Sequence, residues 1–275
     1  MKKIILLVAI LLITGTNMFA QVKKGDSPFY EKIRELSIEE REKLICQEII
    51  SNNIPEYMKG FVTIKTVQKD ALGKKHKITL YVKPDYLTVG KGISSFIIPM
   101  TPKSAQIIAD TLNCSLPTPK IVDIIYNNAE LKLEPFNYIP RGYRNTTPDI
   151  FYDHSRVIYA QIKASGKSPG ILVAGTKKDV VISSLLSDSK REGNVIIYGW
   201  HMPDGKPIQQ VYNGHISSYV DYSHGIRLIS NKVLVDGKEY NIRDILKDPI
   251  LFPLLSNEPK PLAKVRYDTT GLILN

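Results

Sequence analysis

Apolar residues follow a helical spacing through much of the first half of this 275-residue chain and a strand spacing through much of the second half. The spacing predicts helices over 27–51, 101–112, 117–129 and 149–164. Short β-branched runs predict strands at 171–173, 180–182 and 195–198. Strands do not alternate regularly with crossover helices, which argues against a doubly wound nucleotide-binding fold. The sequence therefore predicts an α+β fold with a helix-rich N-terminal half and a strand-rich, mainly antiparallel C-terminal half.

Short-range signals mark the ends of several elements. Ser37 and Glu40 have the spacing of a capping box, and Thr101-Pro102 supplies a helix cap followed by a proline at the first helical position. Two hairpins are predicted, one over 61–82 and one around the turn Asp236-Gly237. The first hairpin means that the helix-rich half also contains strands.

The N-terminus has the pattern of a secretory signal peptide. Lys2 and Lys3 precede an apolar run from Ile4 to Ile13, and small or polar residues follow up to Ala20. The run is shorter than the roughly 20 apolar residues that span a bilayer, and no later segment reaches that length. We therefore predict that residues 1–20 are a signal peptide and that the protein is exported to the periplasm or the extracellular space. No stable membrane span is expected after removal of the signal.

A long irregular segment divides the remaining chain. Residues 135–148 are rich in Pro, Asn, Arg and Tyr and lack periodicity. We predict that residues 21–140 form a helix-rich N-terminal part, which includes a β-hairpin. Residues 141–275 are predicted to form a strand-rich part that carries the candidate site. The sequence leaves open that the two parts form one continuous domain.

The chain has a formal net charge of +10 at pH 7. An exported basic protein meets anionic envelope polymers such as peptidoglycan, teichoic acids and acidic polysaccharides, and charge attraction promotes that encounter. No nucleic-acid-binding motif is visible. We therefore predict an anionic cell-envelope polymer as the partner and no nucleic acid, although the charge is also compatible with plain solubility.

Cys46 and Cys114 are the two cysteines, and neither directly follows the N-terminal apolar run as a lipoprotein cysteine would. They can form one disulfide or remain buried thiols, which behave as small hydrophobic groups. No Cys-x-x-Cys pair indicates structural zinc. The fold is therefore expected to depend on its hydrophobic core.

Residues 198–228 hold the densest group of chemically active side chains. His201, His215, Asp221 and His224 all lie in this segment. Imidazole and carboxylate groups in proximity form an acid–base pair or a metal site, and two histidines, an aspartate and water can surround zinc. We predict these four residues as catalytic or, with zinc as a candidate cofactor, as metal ligands. Each histidine alone is also compatible with a structural role.

Strand geometry sets a condition on this prediction. On a strand, Asp221 and His224 point to opposite faces, so a shared site needs a turn or bulge, which Gly225 permits. Ser223 directly precedes His224, so their side chains diverge, and the chain has no glycine-x-serine-x-glycine elbow. A serine triad is therefore not predicted.

A second polar group lies between two predicted strands. The strand at 171–173 leads to a glycine turn at Gly175, followed by Lys177, Lys178 and Asp179. Such junctions can present charged groups to a ligand, with lysine holding a carboxylate or oxyanion and aspartate acting as acid or base. We predict these three residues as substrate-binding, with a solvated hairpin tip as the alternative.

The run Tyr222-Ser223-His224-Gly225-Ile226-Arg227-Leu228 resembles the end of the L,D-transpeptidase motif. In that family, a serine-histidine-glycine run is followed by the nucleophilic cysteine, a branched apolar residue and arginine. Here Ile226 follows Gly225 directly, so the cysteine is absent. Without a thiolate, the acyl-enzyme step of that family has no nucleophile. The resemblance therefore does not imply transpeptidase activity.

Three longer blocks resemble an uncharacterised family of exported bacterial proteins. The blocks are 116–123 (LPTPKIVD), 174–182 (AGTKKDVVI), and 198–201 (YGWH) running on to 219–225 (YVDYSHG). Members of that family are sometimes joined to peptidoglycan-binding modules, which implies action at the cell wall. Many relatives carry histidine where this chain has Thr176, so this chain has no imidazole at that position.

Together these observations predict an exported hydrolase that acts on peptidoglycan or a related acidic glycan. His215 and His224, with Asp221 or His201, are expected to hold or activate water. The alternative is a noncatalytic protein that binds cell-wall polymer or polysaccharide.

The remaining predicted contacts are with substrate. Lys178 and Arg227 are expected to bind carboxylates, and Trp200 and Tyr222 are expected to offer stacking surfaces to sugars or apolar peptide parts. A binding protein would use the same basic and aromatic groups.

Overall fold

A computed structural model describes residues 27–139 and 142–270 of the chain. The α-helices in these ranges are α1 (Pro28–Ile33), α2 (Ile38–Ile50), α3 (Pro102–Thr111), α4 (Pro119–Asn128), α5 (Pro148–Ala164) and α6 (Ile242–Lys247). The strands are β1 (Val62–Lys69), β2 (Lys75–Val82), β3 (Thr88–Val89), β4 (Phe96–Ile97), β5 (Cys114–Ser115), β6 (Leu131–Lys132), β7 (Val173–Ala174), β8 (Lys178–Val180), β9 (Val195–His201), β10 (Pro207–His215), β11 (His224–Gly225), β12 (Ile229–Ser230), β13 (Lys232–Val235) and β14 (Lys238–Asn241). The predicted α+β class is confirmed.

Most strands pair antiparallel, within two main sheets. The larger sheet has the order β14-β13-β2-β12-β5, and β1 also pairs with β2. The smaller sheet has the order β10-β9-β8-β11, in which β8 and β11 are parallel. Two further pairs, β3 with β4 and β6 with β7, are short. The candidate site lies on the smaller sheet.

The two halves of the chain share one sheet and one core. β2, from the first half, pairs with β12 and β13 from the second half. The main cluster of buried apolar side chains extends from Phe29 to Tyr267. The predicted separation into a helix-rich and a strand-rich half is therefore not clear, because strands distant in sequence pair to bury their apolar faces. The predicted boundary at 140 and the signal peptide at 1–20 lie outside the described residues.

Several local signals form the predicted structures. Ser37 Oγ accepts from the Glu40 backbone, and the Glu40 carboxylate accepts from Ser37 N at 3.0 Å, which completes the capping box of α2. Thr101 caps α3. Asp236 and Gly237 have φ angles of 52° and 83°, as a type I′ turn requires.

His76 links the two hairpins of the larger sheet. Its Nε2 lies 3.0 Å from Asp70 Oδ2, and its Nδ1 lies 2.7 Å from Asp236 Oδ2. Hydrogen bonds to Asp70 and then to Asp236 raise the pKa of His76, because both carboxylates favour the imidazolium form. These hydrogen bonds join the turn after β1 to the turn after β13.

The helices pack on strands of different sheets. α4 packs against β9, and α5, the longest helix with 17 residues, packs against β4. In 27–139 and 142–270, no helix is both long and apolar enough to cross a membrane.

The two cysteines are buried thiols. Cys46 lies in α2 and Cys114 in β5, and both are free. Burial raises the pKa of Cys46 to about 12 and that of Cys114 to about 11. Neither thiol is therefore a nucleophile in this fold.

Candidate functional site

Two of the sequence blocks meet in the smaller sheet. His224 of β11 lies beside Lys178 of β8, and Lys178 lies beside Gly199 of β9. Residues aligned across neighbouring strands project to the same face of a sheet. Lys178 and His224, far apart in the sequence, therefore share one face.

A turn brings Asp221 towards His224. Asp221 Oδ1 accepts hydrogen bonds from the backbone N of Ser223, at 2.7 Å, and from its hydroxyl, and the Asp221 carbonyl accepts from His224 N at 3.1 Å. His224 Nε2 consequently lies 4.0 Å from Asp221 Oδ1. A turn was the condition for Asp221 and His224 to share a site. Tyr222 and Ser223 form that turn, and Gly225 belongs to β11.

Asp221 is held as a carboxylate. Besides the two hydrogen bonds from Ser223, its Oδ2 accepts one from the Tyr219 hydroxyl at 3.2 Å. Burial opposes the negative charge, but the charge interaction with His224, the Ser223 hydrogen bonds and the nearby Lys178 cation together lower the pKa of Asp221 below its ordinary value. The negative charge of Asp221 is therefore present at neutral pH.

His224 is fully buried, and neither of its ring nitrogens has a hydrogen-bond partner among the described residues. Burial lowers its pKa to about 4, so the ring is neutral at pH 7. A buried polar group without a partner costs about 1–3 kcal/mol, and native proteins contain few of them. His224 is therefore a strong candidate for a functional residue.

His215, at the end of β10, is the imidazole of this group that is partly exposed to solvent. Its ring stacks on Tyr219 with centroids 4.2 Å apart, and its centroid lies 6.4 Å from that of His224. Partial burial lowers the pKa of His215, assisted by Lys178 and opposed by Asp221. At neutral pH the ring is mainly in its unprotonated form, which can accept a proton. We call His215, Asp221, His224 and Lys178 the imidazole cluster.

Trp200 is buried beside the imidazole cluster. Lys178 Nζ lies 5.1 Å from the centroid of its ring, and the residue is 5% exposed. Its φ angle of 58° is one that bulky side chains rarely adopt, and its Nε1 has no hydrogen-bond partner in the described structure. Burial lowers the pKa of Lys178. Because the Trp200 ring is covered, it does not offer the stacking surface predicted for sugars.

Lys177 is fully buried and connects the Tyr222 loop to α5. Its Nζ donates to His154 Nδ1 at 2.9 Å and to the carbonyl oxygen of Tyr222. His154 Nε2 lies 2.8 Å from the Phe136 carbonyl, so Nε2 carries the ring proton and Nδ1 is the acceptor. Burial lowers the pKa of Lys177 to about 7. Lys177 thus holds the backbone next to Asp221 without reaching solvent, and Tyr222 is also buried.

Asp179 and Arg227 meet at Tyr86, away from solvent. The Tyr86 hydroxyl donates to Asp179 Oδ2 at 2.8 Å, and the Arg227 guanidinium lies 4.3 Å from the Tyr86 ring centroid. Arg227 donates to the carbonyls of Lys83 and Val173 at 3.0 and 2.7 Å. Burial raises the pKa of Asp179 to about 6. Both predicted substrate contacts are buried in this structure and link neighbouring segments of the core.

His201 makes its contacts with α4 and with its own strand. Its Nε2 lies 3.0 Å from Asp123 Oδ1, which also accepts from the Tyr198 hydroxyl at 2.8 Å. Its ring stacks on Tyr126 with centroids 4.5 Å apart. The structure therefore brings together three of the four predicted catalytic residues, namely His215, Asp221 and His224. The fourth, His201, is hydrogen-bonded to Asp123 instead.

The predicted zinc ligands do not converge on one point. In the part of the chain that the structure describes, no group of three or more His, Cys, Asp or Glu side chains is arranged to hold a metal ion. His201 is hydrogen-bonded to Asp123, and Asp221 accepts hydrogen bonds from Ser223 and Tyr219. The residues present do not fit zinc, and we derive no zinc-dependent step.

Three residues of this region were not predicted. Tyr219 lies two positions before Asp221 in the same polar segment, so local density was a signal for it. Asp123 and His154 lie on α4 and α5, and no local pattern connects them to His201 and Lys177, the residues that they contact. Only the packing of these helices shows their proximity.

Comparison with known proteins found no matching family model, no matching curated protein and no matching solved structure. The resemblance to the exported bacterial family therefore depends on the three sequence blocks alone.

Proposed function

We propose that this protein is an exported hydrolase that acts on peptidoglycan or a related acidic glycan of the cell envelope. The single observation that carries the proposal is the partly exposed His215 beside the buried, unpartnered His224 and the ionised Asp221. Such a combination of imidazole and carboxylate can move a proton during hydrolysis. Export through residues 1–20 is part of the proposal, and those residues lie outside the described ranges.

The accessible imidazole has the central role in the proposed reaction. A water molecule gives a proton to His215 as its oxygen bonds to the electrophilic carbon of the substrate, and His215 returns that proton to the leaving atom. The carboxylate of Asp221 stabilises the imidazolium that forms in between. The His224 ring lies beside this imidazole, with the two ring centroids 6.4 Å apart.

The charge of the surroundings supports an anionic polymer as substrate. A cavity of about 520 Å³ opens at Ser217, two positions after His215 in the sequence, although no member of the imidazole cluster lines it. Lys103, Lys264 and Arg266 line this cavity together with two acidic residues. Removal of residues 1–20 takes away Lys2 and Lys3 and no acidic residue, which leaves 35 basic and 27 acidic residues and a net charge of +8. This charge attracts acidic polymers over a distance of about one Debye length.

The experiment is digestion of purified sacculi, with the released fragments identified by mass. We expect His215→Asn to release fragments about 10²–10⁴ times more slowly than the wild type, the usual contribution of general acid–base catalysis. Gln209→Asn is the matched control, because Gln209 lies on the same strand with similar exposure. If His215→Asn and Gln209→Asn both release fragments at the wild-type rate, the proposed role of His215 is contradicted.

The second candidate is a noncatalytic wall-binding protein. It is favoured by the burial of Asp221, which is 8% exposed, and of His224, which is not exposed. The same assay separates the two, because a binder sediments with sacculi and releases no fragments from any polymer tested. The fragment masses of a hydrolase also identify the bond that is cleaved.

A further inference from the structure

Two buried side chains near Lys178 carry polar groups without partners. Trp200 Nε1 and both ring nitrogens of His224 are buried, and no hydrogen-bond partner for them occurs among the described residues. The two residues are 5% and 0% exposed. More than nine in ten buried polar groups in native proteins are hydrogen-bonded, so two such residues at one place need an explanation.

Sheet register places His224 beside Lys178, and a contact with its ammonium group places Trp200 there as well. His224 and Gly199 flank Lys178 on the two neighbouring strands, and Trp200 directly follows Gly199. The Lys178 ammonium lies over the Trp200 ring at 5.1 Å. Lys178 is partly exposed, so its ammonium group is the part of this place that a ligand in solvent reaches first.

Lys178, Trp200 and His224 together offer more hydrogen-bond donors than acceptors. Trp200 contributes one N–H donor, Lys178 contributes an ammonium group, and neutral His224 contributes one N–H donor and one acceptor. The nearby Asp221 carboxylate is already occupied by Ser223 and Tyr219. A ligand that supplies oxygen acceptors therefore complements these donors, and a carboxylate does so with the Lys178 ammonium as its charged contact.

We propose that Lys178, Trp200 and His224 form a binding subsite for a carboxylate group. This inference deepens the proposed function, because it names the substrate group that is held beside His215. Two kinds of envelope polymer supply a carboxylate, namely acidic glycans through uronic acids and wall peptides through their C-termini. The two sources share the chemistry that the subsite recognises.

Trp200 is the single tryptophan of the chain, so its indole N–H gives one isolated NMR signal that reports on this donor. We propose to titrate ¹⁵N-labelled full-length protein with glucuronate and with N-acetyl-Ala-Ala, at constant ionic strength. N-acetyl-Ala-amide, which lacks the carboxylate, and inorganic phosphate are the comparison ligands. We expect a saturable shift of the indole signal with one or both carboxylates, and the stronger ligand identifies the source.

Lys178→Met tests the role of the ammonium group. We expect it to weaken the apparent carboxylate affinity about tenfold or more, as loss of a hydrogen bond to a charged group does. Lys206→Met is the matched control, because it removes the same charge from an exposed lysine paired with Asp204. Near-ultraviolet circular dichroism of the ligand-free variants reports whether both retain the fold, because Lys178→Met by itself removes the cation beside the Trp200 ring and shifts the indole signal. Lys178→Gln replaces Lys178→Met if Lys178→Met does not fold.

Three outcomes overturn the inference. They are an indole signal that no carboxylate shifts, a shift produced by phosphate alone, and equal titrations of the Lys178 and Lys206 variants. The result is independent of the sacculus assay. Saturable carboxylate binding without fragment release leaves the subsite standing and refutes the hydrolase, whereas release without any indole shift does the reverse.

Discussion

Replacing Gly225 with alanine tests how closely β11 approaches the side chains packed against it. A Cβ at this position lies 2.5 Å from Cδ1 of Tyr86 and 2.7 Å from Cβ of Lys177. Carbon atoms in favourable contact are about 3.5–4.0 Å apart, so both neighbours have to move by roughly 1 Å. The φ angle of Gly225 is not positive, so close approach rather than backbone conformation requires the glycine.

Neither neighbour can move freely. Tyr86 is held by its hydrogen bond to Asp179 and by the Arg227 guanidinium, and the Cβ of Lys177 is fixed by its backbone. Overpacking of this kind costs about 1–3 kcal/mol. For a domain of this size, each kcal/mol lowers the unfolding temperature by about 2–4 °C, so we expect a decrease of about 2–12 °C.

Thermal unfolding followed by near-ultraviolet circular dichroism measures this decrease. Gly60→Ala is the control, because a Cβ at Gly60 meets no atom within 4 Å. That change is expected to be neutral or to stabilise the fold by about 0.4–1 kcal/mol, since alanine restricts the unfolded chain. If Gly225→Ala unfolds at the same temperature as Gly60→Ala, the close contact with Tyr86 and Lys177 is refuted.

Two predictions concern the dependence of stability on pH, and both are measured by urea unfolding at a series of pH values. Hydrogen bonds to two aspartates raise the pKa of His76. The stabilising contribution of His76 is therefore fully present below the unfolded pKa of about 6.5 and is lost as the pH rises through the raised folded pKa. His76→Asn should remove this loss, and a pH profile identical to that of the wild type contradicts the prediction. Burial lowers the pKa of Lys177 to about 7, so between about pH 7 and 10 the unfolded chain binds the extra proton and the free energy of unfolding rises with pH, by at most about 1.4 kcal/mol per pH unit. Lys177→Met should lack this rise, and its persistence in the variant refutes the titration of Lys177 in this range.

Much of the local structure could be predicted because it depends on residues that are close in sequence. The Ser37 and Glu40 capping box is formed by groups three positions apart, and the Asp236-Gly237 turn needs only a backbone that tolerates positive φ. β10 was not predicted, since its mixed polar and apolar residues follow no strand period. Its pairing with β9 supplies the stability that its own sequence pattern does not indicate.

The sequence by itself determined the α+β class, the helix caps, the turns and the segment in which reactive side chains concentrate. Tertiary structure alone decided which of those side chains meet. The parallel pairing of β11 with β8 places His224 beside Lys178, and the packing of α4 on β9 brings His201 within hydrogen-bond distance of Asp123. Burial, partners and pKa depend on what the rest of the chain places around a group. Those surroundings come from contacts between distant segments, which a local pattern of residues does not encode.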